Sequence, residues 1–461
     1  MKNIVIFADG TGQRSGVLFD ETRTNIFKLY RATRCGPDSI VNSSRQLAFY
    51  DPGIGTIRGG VGLLGAIGDW LYNTICQATG LGLTRNMVDC YAAIVQMCEP
   101  SDNIFLFGFS RGAYTVRCLA GVLAQCGIPT QENGHDLKRD PVTAKRIAKE
   151  AVKAVYQYAS SVKEREATPE QKVLLDERKA LAKQFREKYS SNNENGEANK
   201  LPHFIGAFDT VASLADPVVL TMFSVGAAAI LALVAWALSY WSLSFIWWFA
   251  ILVLIAGSGT AIAYVKTHLK MFTLGRRKWW PKFHMTEPKM KFYDRDLNLR
   301  VGFARHAISI DEDRQTFPHE QWGDPRDDKA DNAPEPKWFV QKWFAGNHAD
   351  IGGGYPENES RLSDIGLDWM VTEAEKAGLL IDPSVLRRNI SAAGMQHDEC
   401  KSSFFKYAGR RDRKPPHDAP LHDTVLDRFE VGKVLHYDDM REYRPECLRG
   451  HDNLGKYYPK K

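Results

Sequence analysis

The chain has 461 residues, of which 44% are hydrophobic and 25% are charged, so it is long enough for one large enzyme domain with insertions. The formal net charge is only +5, and no basic helical pattern with interleaved aromatic residues occurs, which argues against a nucleic-acid-binding protein. The eight cysteines form no CxxC pair and lie mostly in apolar runs. We therefore expect reduced thiols and a cytoplasmic environment for the soluble part.

The first part of the chain alternates short apolar runs with helical patterns. The apolar run at the N-terminus is too short for a signal peptide and has no cleavage site after it, so it predicts a first strand. Runs that are closed by glycine-rich turns are typical of buried parallel strands. We predict strands over residues 3–8, 46–50 and 104–107, and helices over 85–98 and 113–124.

Residues 133–200 differ in composition from the part before them. They are rich in Lys, Glu, Arg and Ala with apolar positions at helical spacing, which predicts a solvated helical insertion with a polar linker over 190–198. Further patterns predict strands over 204–208, 306–310 and 338–344 and a helix over 363–378. Strands that alternate with helices indicate an α/β fold with a doubly wound, mostly parallel sheet.

The segment from Pro217 to Val265 contains no charged residue. It is more than twice the about 20 residues that one helix needs to cross a bilayer, and Ser239–Ser242 is a suitable turn near its middle. Lys266 and Lys270 follow it, and basic flanks tend to stay on the cytoplasmic side. We predict a transmembrane helical hairpin over 217–265 with both ends in the cytoplasm. A buried helical pair, or a single re-entrant or interfacial element, would share this pattern.

The motif Gly108-Phe109-Ser110-Arg111-Gly112 fits Gly-x-Ser-x-Gly, with an apolar strand before it and a helix after it. In this context the glycines permit the sharp, strained turn that lifts a serine hydroxyl above the end of a sheet. The N-terminus of the next helix favours negative charge, and the amide of Arg111 can donate to an oxyanion. The pattern predicts Ser110 as the nucleophile of an α/β-hydrolase fold, although an ordinary strand–helix turn would carry the same motif.

A nucleophilic serine needs a base, and the base needs an acid that orients it. In α/β hydrolases the order along the chain is Ser, then Asp or Glu, then His. Asp209 ends a predicted strand, and His348 follows the last predicted strand of the sheet, so both belong at the sheet edge of Ser110. The simpler alternatives are a turn or helix-capping role for Asp209 and a backbone-bonded loop histidine for His348.

Three other residues compete for these roles. His306 is the main rival base, but the pattern predicts that it begins a strand and lies at the opposite edge of the sheet. His422 is a weaker rival. Asp350 could replace Asp209 as the acid, or it could help to position His348 without being the acid.

The turn Asp9-Gly10-Thr11-Gly12 follows the first strand. Its backbone amides could supply a second oxyanion donor, or the residues could simply form a tight turn. We predict no metal and no cofactor, because the twelve histidines are scattered without HExxH or a carboxylate cluster at ligand spacing. No Gly-Lys-Ser/Thr follows the serine motif, so nucleotide binding is disfavoured.

Several blocks of the sequence together resemble a known family. They are Phe7–Thr11, Tyr50–Thr56, Gly108–Arg117, Phe208–Val211, Arg305–Ala307 and Trp343–Tyr355. Over most of its length the chain is similar to the DUF2235 family of α/β hydrolases, which includes the type VI secretion phospholipase effectors of the Tle1 group. The resemblance implies a Ser-Asp-His triad, which falls on Ser110, Asp209 and His348, and it implies cleavage of phospholipid esters. The chain departs from the effectors in its helical insertion, its apolar hairpin and its modest size.

These patterns divide the chain into five parts. They are the N-terminal hydrolase part with the serine motif (1–132), the charged insertion (133–200), the strand with the triad acid (201–216), the hairpin (217–265) and the C-terminal hydrolase part with the triad histidine (266–461). Because the hairpin begins soon after Asp209, we expect the active site and the bilayer on the same side of the domain.

The function expected from the sequence is a membrane-anchored serine hydrolase that cleaves lipid esters, with phospholipid as the expected substrate. Its expected location is the membrane, with the catalytic domain on the cytoplasmic side and without a nucleic-acid partner. Two alternatives stay open: an esterase or thioesterase on a soluble substrate, and a non-enzymatic membrane or pore-forming assembly protein on a hydrolase scaffold.

Overall fold

The protein is described here from a computed structural model. The described residues are 1–10, 22–53, 82–159, 167–211, 217–272, 282–286, 297–315, 317–320, 322, 337–401 and 409–459. The described strands are β1 (Asn3–Ala8), β2 (Gln46–Asp51), β3 (Asn103–Phe109), β4 (Gln131–Glu132), β5 (His135–Asp136), β6 (Phe204–Phe208), β7 (Leu269–Phe272), β8 (Lys282–Met285), β9 (Phe303–Ser309), β10 (Phe339–Phe344), β11 (Lys433–His436) and β12 (Asp439–Glu442).

The α-helices fall between and after these strands. They are α1 (Asn25–Thr33), α2 (Leu83–Met97), α3 (Arg111–Cys126), α4 (Pro141–Lys149), α5 (Pro169–Tyr189), α6 (Pro217–Ser239), α7 (Phe245–His268), α8 (His348–Gly352), α9 (Arg361–Lys376) and α10 (Asp423–Glu430). A π-helical turn (Glu150–Val155) and a 3₁₀ turn (Tyr156–Tyr158) continue from α4.

Six strands form one sheet in the order β10-β9-β6-β3-β1-β2, and each neighbouring pair is parallel. The prediction of an α/β fold with a mostly parallel sheet is therefore confirmed. Because all six strands run the same way, their carboxyl ends lie along one edge, which is where open α/β sheets hold their sites.

Both faces of the sheet are covered by helices. In β1, Ile4 and Ile6 belong to a cluster with α2, α3, α4 and α5, whereas Val5 and Phe7 belong to a second cluster with α1 and α9. This alternation follows from the two-residue period of a strand. A strand buried on both faces must be apolar at every position, which explains the uninterrupted apolar runs in the sequence.

Within the charged segment 133–200, the described residues form the helices α4 and α5, as the apolar spacing predicts. The side chain of Asp140 accepts hydrogen bonds from the first amides of α4, and Thr168 and Gln171 form a capping box at the start of α5. The expectation of a purely solvated insertion is too simple, because Ile147 and Phe185 on the inner faces are buried in the core. The charged residues lie mainly on the outer faces, with the buried Arg178 of α5 as an exception.

The helices α6 and α7 pack against each other as a hairpin. Their apolar side chains are largely exposed, and Trp241 and Leu254 are 90% and 67% exposed. By length and composition α7 contains a stretch that could cross a membrane, Phe245–Lys266, with a mean hydropathy of 2.0. The apolar stretch of α6 found among the described residues, Ser224–Ser239, is shorter. The prediction of two membrane-crossing helices is therefore not supported as it stands.

A two-stranded antiparallel ribbon, β7–β8, follows the hairpin. His284 Nε2 lies 2.7 Å from the carbonyl oxygen of Tyr158, and the two rings are 4.5 Å apart. Lys270 Nζ donates to the carbonyl oxygen of Lys153 at 3.2 Å. The ribbon thus attaches the end of the hairpin to the turns that follow α4.

The C-terminal region forms a third apolar cluster, for which the sequence patterns predict no element. Val425 and Phe429 of α10 pack there with Val434 of β11 and with Ile310 and Trp343 from the ends of β9 and β10. The cluster therefore covers one end of the sheet next to its carboxyl edge.

Candidate active site

Ser110 lies between the end of β3 and the first turn of α3. Its backbone has a φ of 57° and a ψ of −120°, a conformation that costs a residue with a side chain on the order of 1–3 kcal/mol. A Cβ on Gly108 would lie 2.4 Å from the carbonyl carbon of Gly112, and a Cβ on Gly112 would lie 1.9 Å from the carbonyl oxygen of Ala8. Both positions therefore require glycine, because β1, β3 and the first turn of α3 meet here.

Asp209 and His348 meet at the same edge of the sheet. Asp209 directly follows β6 with a positive φ of 37°, and His348 begins α8 shortly after β10. His348 Nδ1 lies 2.5 Å from Asp209 Oδ2, and both side chains are buried. The Ser309 amide donates to Asp209 Oδ1 at 2.9 Å. An ionised carboxylate in this place keeps the proton on Nδ1 and leaves Nε2 as the proton acceptor.

The sequence patterns give no role to Arg413, which binds Asp209 directly. Its Nη1 and Nη2 donate to Oδ1 and Oδ2 of Asp209 at 2.5 and 2.9 Å, and both side chains are buried. Burial by itself raises the pKa of Asp209, but the charge of Arg413 and the contacts of His348 outweigh it and hold that pKa well below its usual range. Asp209 is therefore an anion at any physiological pH.

The imidazole of His348 is enclosed by aromatic rings. The rings of Phe109 and Phe317 lie 4.6 and 5.2 Å from it, centre to centre, and the His348 amide donates to Glu312 Oε2 at 3.0 Å. Phe109 directly precedes Ser110, so its ring links the serine turn to the imidazole. The Ser110 hydroxyl makes no hydrogen bond to another described residue, and such bonds are often long until substrate binds.

The loop after β1 reaches the serine turn. A Cβ on Gly10 would lie 3.4 Å from the Cβ of Ser110. The Asp9 carboxylate accepts hydrogen bonds from the Gly10 amide at 2.7 Å and from the hydroxyls of Thr24 and Tyr50 at 2.6 and 2.7 Å. Burial raises the pKa of Asp9 to about 6 in spite of these bonds. Asp9 therefore fixes the loop beside the nucleophile.

The predicted oxyanion donors differ in how they are placed. The Arg111 amide is the first of α3, at the helix N-terminus, where negative charge is favoured. The Gly10 amide already donates to Asp9, so it is not a second donor in this arrangement. Thr11, the remaining candidate, lies outside the described residues.

Asp350 supports the loop that carries His348 and does not contact the imidazole. Its carboxylate accepts hydrogen bonds from the amides of Asn347 and His397, each at 3.1 Å, and lies 2.8 Å from His397 Nδ1. Burial lowers the pKa of His397, but the bond and charge of Asp350 raise it overall. The structure thus places Asp350 against His397, and Asp209 against His348.

The two rival bases lie elsewhere. His306 is in the middle of β9, so its predicted position at the start of a strand, on the opposite edge, is wrong. Its ring nitrogens lie 3.0 Å from Gln341 Oε1 and 3.1 Å from Thr210 Oγ1, and burial lowers its pKa to about 3. His422 is the N-cap of α10, and its side chain accepts a hydrogen bond from the Thr424 amide. Both histidines thus have structural partners.

Asp313, Asp398 and Cys400 are the group with metal-ligand spacing in the described part of the chain. Arg410 already pairs with both carboxylates, and the Cys400 thiol donates to Asp313 at 3.3 Å. Burial raises the pKa of this thiol to about 12. In the described structure these three side chains are therefore bound to one another and to Arg410.

A family model described as "T6SS, Phospholipase effector Tle1-like, catalytic domain" matches residues 2–373. The chain belongs to this family. Its resemblance to the DUF2235 and Tle1-type proteins is thereby confirmed. The matched range includes Ser110, Asp209 and His348 but ends before Arg413.

One protein sequence and two solved structures are similar to this chain. An uncharacterized protein of Saccharomyces cerevisiae is 29% identical over 221 residues, which cover 46% of this chain and 27% of that protein. The chain therefore spans about a quarter of that relative's length. The crystal structure of an uncharacterized protein from Pseudomonas aeruginosa is 16% identical with a TM-score of 0.35, over 85% of this chain and 47% of that one. The Tle1 effector bound to the VgrG spike of the type 6 secretion system is 14% identical with a TM-score of 0.34, over 85% and 76%.

Proposed function

We propose that this protein is a membrane-anchored serine hydrolase that cleaves ester bonds of phospholipids. Ser110 is the nucleophile, His348 the general base and Asp209 the acid that orients the base. The observation that carries the proposal is the buried contact of 2.5 Å between His348 Nδ1 and Asp209, at the same sheet edge as a strained serine turn. Membership of the Tle1-like family supports a lipid substrate.

The reaction follows from the roles of these residues. His348 Nε2 accepts the hydroxyl proton of Ser110 while Oγ attacks the acyl carbonyl carbon. The Arg111 amide at the start of α3 donates to the oxyanion of the tetrahedral intermediate. His348 then protonates the leaving lysolipid oxygen, and an acyl-enzyme remains. A water molecule that gives its proton to His348 hydrolyses the acyl-enzyme and releases the fatty acid, while Asp209 stays ionised throughout.

The hairpin supports the membrane part of the proposal. Soluble monomers rarely expose contiguous apolar patches larger than a few hundred Å², yet α6 and α7 expose large apolar side chains along most of their length. In the proposal α7 enters the bilayer with α6 packed beside it, and Lys266 and Lys270 stay on the cytoplasmic side with the catalytic domain. Since α6 begins eight residues after Asp209, at most about 29 Å of chain separates them. This favours a site close to the lipid surface.

The first experiment is labelling with a fluorophosphonate in detergent, followed by fatty-acid release from phospholipid vesicles. We expect Ser110→Ala to abolish labelling and to lower hydrolysis by at least about 10³-fold at an unchanged unfolding temperature. Ser44→Ala, a change at an exposed serine outside the site, is the matched control and should behave as wild type.

Each other result points to a different function. Hydrolysis that survives Ser110→Ala would remove the proposed mechanism. A preference for short, water-soluble esters over vesicles would favour an esterase or thioesterase whose hairpin only sets its location. Vesicle leakage that persists in Ser110→Ala without hydrolysis would favour a non-enzymatic membrane protein.

A further inference from the structure

Arg413 lies outside the part of the chain that the family model matches, yet its guanidinium contacts the proposed triad. Asp209 Oδ2 accepts from both His348 Nδ1 and Arg413 Nη2, while Oδ1 accepts from Arg413 Nη1 and the Ser309 amide. We infer that Arg413 is a positioning residue, which holds Asp209 in the orientation and charge state that direct the imidazole of His348. This inference rests on the proposed function.

The first reason is the cost of burying a carboxylate. An unpaired carboxylate in the interior tends to take up a proton, and a protonated Asp209 would no longer be the anion that fixes the imidazole tautomer. The planar guanidinium makes a bidentate contact, which supplies the positive charge and also fixes the plane of the carboxylate. A lysine would supply the charge as a point without the second bond.

The second reason is that Arg413 is itself fixed in place by the surroundings of the imidazole. It also donates to the carbonyl oxygen of Ser309 at 3.1 Å and to that of Phe317 at 3.3 Å. Ser309 ends β9, and the ring of Phe317 packs on His348. One side chain thus connects the triad acid, the neighbouring strand and a wall of the imidazole pocket.

The third reason concerns the charge balance. Arg413 and Asp209 together carry almost no net charge. They therefore attract a positively charged imidazole less than an unpaired carboxylate would. Without Arg413, either Asp209 keeps its full charge and favours the imidazolium, or it takes up a proton because it is buried. The active form has a neutral imidazole and an ionised Asp209. In either case, as the pH falls, this form is lost at a higher pH than in wild type.

The other ionisable groups around the pair keep one charge state in the relevant pH range. Burial lowers the pKa of His306 to about 3 and that of His319 well below its usual value. Glu312, beside the His348 amide, pairs with Arg314 at 2.6 Å, and although burial raises its pKa, the charge of Arg314 lowers it overall. The labelling rate is expected to fall at low pH, and this part of the pH profile is called the acid limb. These groups therefore do not cause the acid limb.

Two further groups are the same in every variant compared. Asp9, on the opposite side of the serine turn, has a pKa raised by burial to about 6 and titrates within the range. Arg117 faces His306 and stays charged, although burial lowers its pKa to about 10. Because neither is changed, a difference between variants reports on Arg413.

The experiment is the second-order rate constant of fluorophosphonate labelling between pH 4.5 and 9, in detergent, for wild type, Arg413→Met and Arg413→Lys. We expect Arg413→Met to label about 10- to 100-fold more slowly at its plateau and its acid limb to move to higher pH by about one unit. Arg413→Lys should lie between Arg413→Met and wild type in both quantities.

The matched control is Arg305→Met. Arg305 is buried and pairs with Glu373 at 2.6 Å, on the side of the sheet covered by α9. Its loss should lower stability but leave the labelling rate per folded molecule and the acid limb unchanged. Arg413→Met with the same result would overturn the inference, because Arg413 would then be a structural residue only.

If Arg413→Met fails to fold, Arg413→Lys decides alone, and a wild-type rate with an unmoved acid limb would overturn the inference. Failure of the proposed function has a different signature, since wild type would then not be labelled at Ser110. The inference would fail together with it.

Discussion

The carboxyl edge of the sheet and the α6–α7 hairpin differ in how their side chains are solvated. The sheet edge contains a buried charge, whereas the hairpin exposes apolar side chains. At the sheet edge Asp209 is fully buried and still ionised, because Arg413 and His348 bind it from the protein side. In the hairpin no charge is present from Pro217 to Val265, and apolar side chains such as Leu254 lie exposed. At the sheet edge, protein groups replace water as the partners of the charge. The hairpin, in contrast, has an exposed apolar surface of a kind that is rare on soluble monomers.

The same contrast appears in how closely the backbone is packed. A Cβ on Gly112 would overlap the backbone of Ala8, whereas a Cβ on Gly257 in α7 meets nothing within 4 Å. The sheet edge therefore tolerates no additional atom at this position, while the hairpin presents an open surface. The three changes that follow test this difference, beginning with the largest expected effect.

Gly112→Ala should abolish fluorophosphonate labelling and lower the free energy of unfolding by about 3 kcal/mol or more, because the turn must move to admit the methyl group. Gly257→Ala should change stability by no more than about 1 kcal/mol, in the stabilising direction, because alanine favours a helix. Both are measured by denaturant unfolding in detergent. A folded Gly112→Ala that labels like wild type would show that the turn is not packed in this way.

Leu254→Arg tests whether the hairpin lies in lipid. An arginine near the centre of a membrane helix costs about 2.5–3.5 kcal/mol, so the fraction of protein that floats with vesicles should fall. The control is Val142→Arg, at a position of α4 that is 79% exposed, which should leave flotation unchanged. Equal flotation of Leu254→Arg and wild type would mean that this surface does not enter the bilayer.

Asp311→Asn tests the burial of charge at the sheet edge. The Asp311 carboxylate accepts bonds from the Gly346 amide and the Tyr443 hydroxyl at 2.7 and 2.8 Å, and burial raises its pKa to about 6. In the unfolded chain this pKa is about 3.9, so its contribution to stability is full below pH 4 and is lost as pH rises through 6.

Asparagine keeps an acceptor without the charge. The stability of Asp311→Asn relative to wild type should therefore rise by on the order of 2 kcal/mol between pH 4.5 and 7.5. Urea unfolding at several pH values measures this difference, with the exposed Asp439→Asn as the control. A difference that stays flat with pH would show that Asp311 does not carry a buried charge.

The fold could be predicted from the sequence wherever burial on both faces makes a strand uniformly apolar. The runs at β1, β3 and β6 are of this kind, and their boundaries differ from the observed ones by at most two residues. β9 was misplaced because its observed start, Phe303–Arg305, reads as mixed polarity. Because of that shift of three residues, the pattern predicts His306 at the start of the strand, whereas it lies in the middle.

The candidate site could be predicted only where a residue follows directly from a strand. Ser110, Asp209 and His348 meet this condition, since each comes at or soon after the carboxyl end of a parallel strand. Arg413 does not, because it lies in a polar stretch without regular structure, and its contact with Asp209 spans 204 positions. The rule that a buried carboxylate needs a cation predicts that such a partner exists, but it does not say where in the chain it is.

The position of Arg413 also bears on the order in which the proposed site becomes complete. A ribosome makes Ser110, Asp209 and His348 well before residue 413, so the nascent chain carries all three reacting groups without the cation that holds Asp209. If Ser110, Asp209, His348 and Arg413 act as proposed, the emerging polypeptide is a poor hydrolase until residue 413 has been added. Synthesis itself would then delay activity until residue 413 has been made and has packed against Asp209.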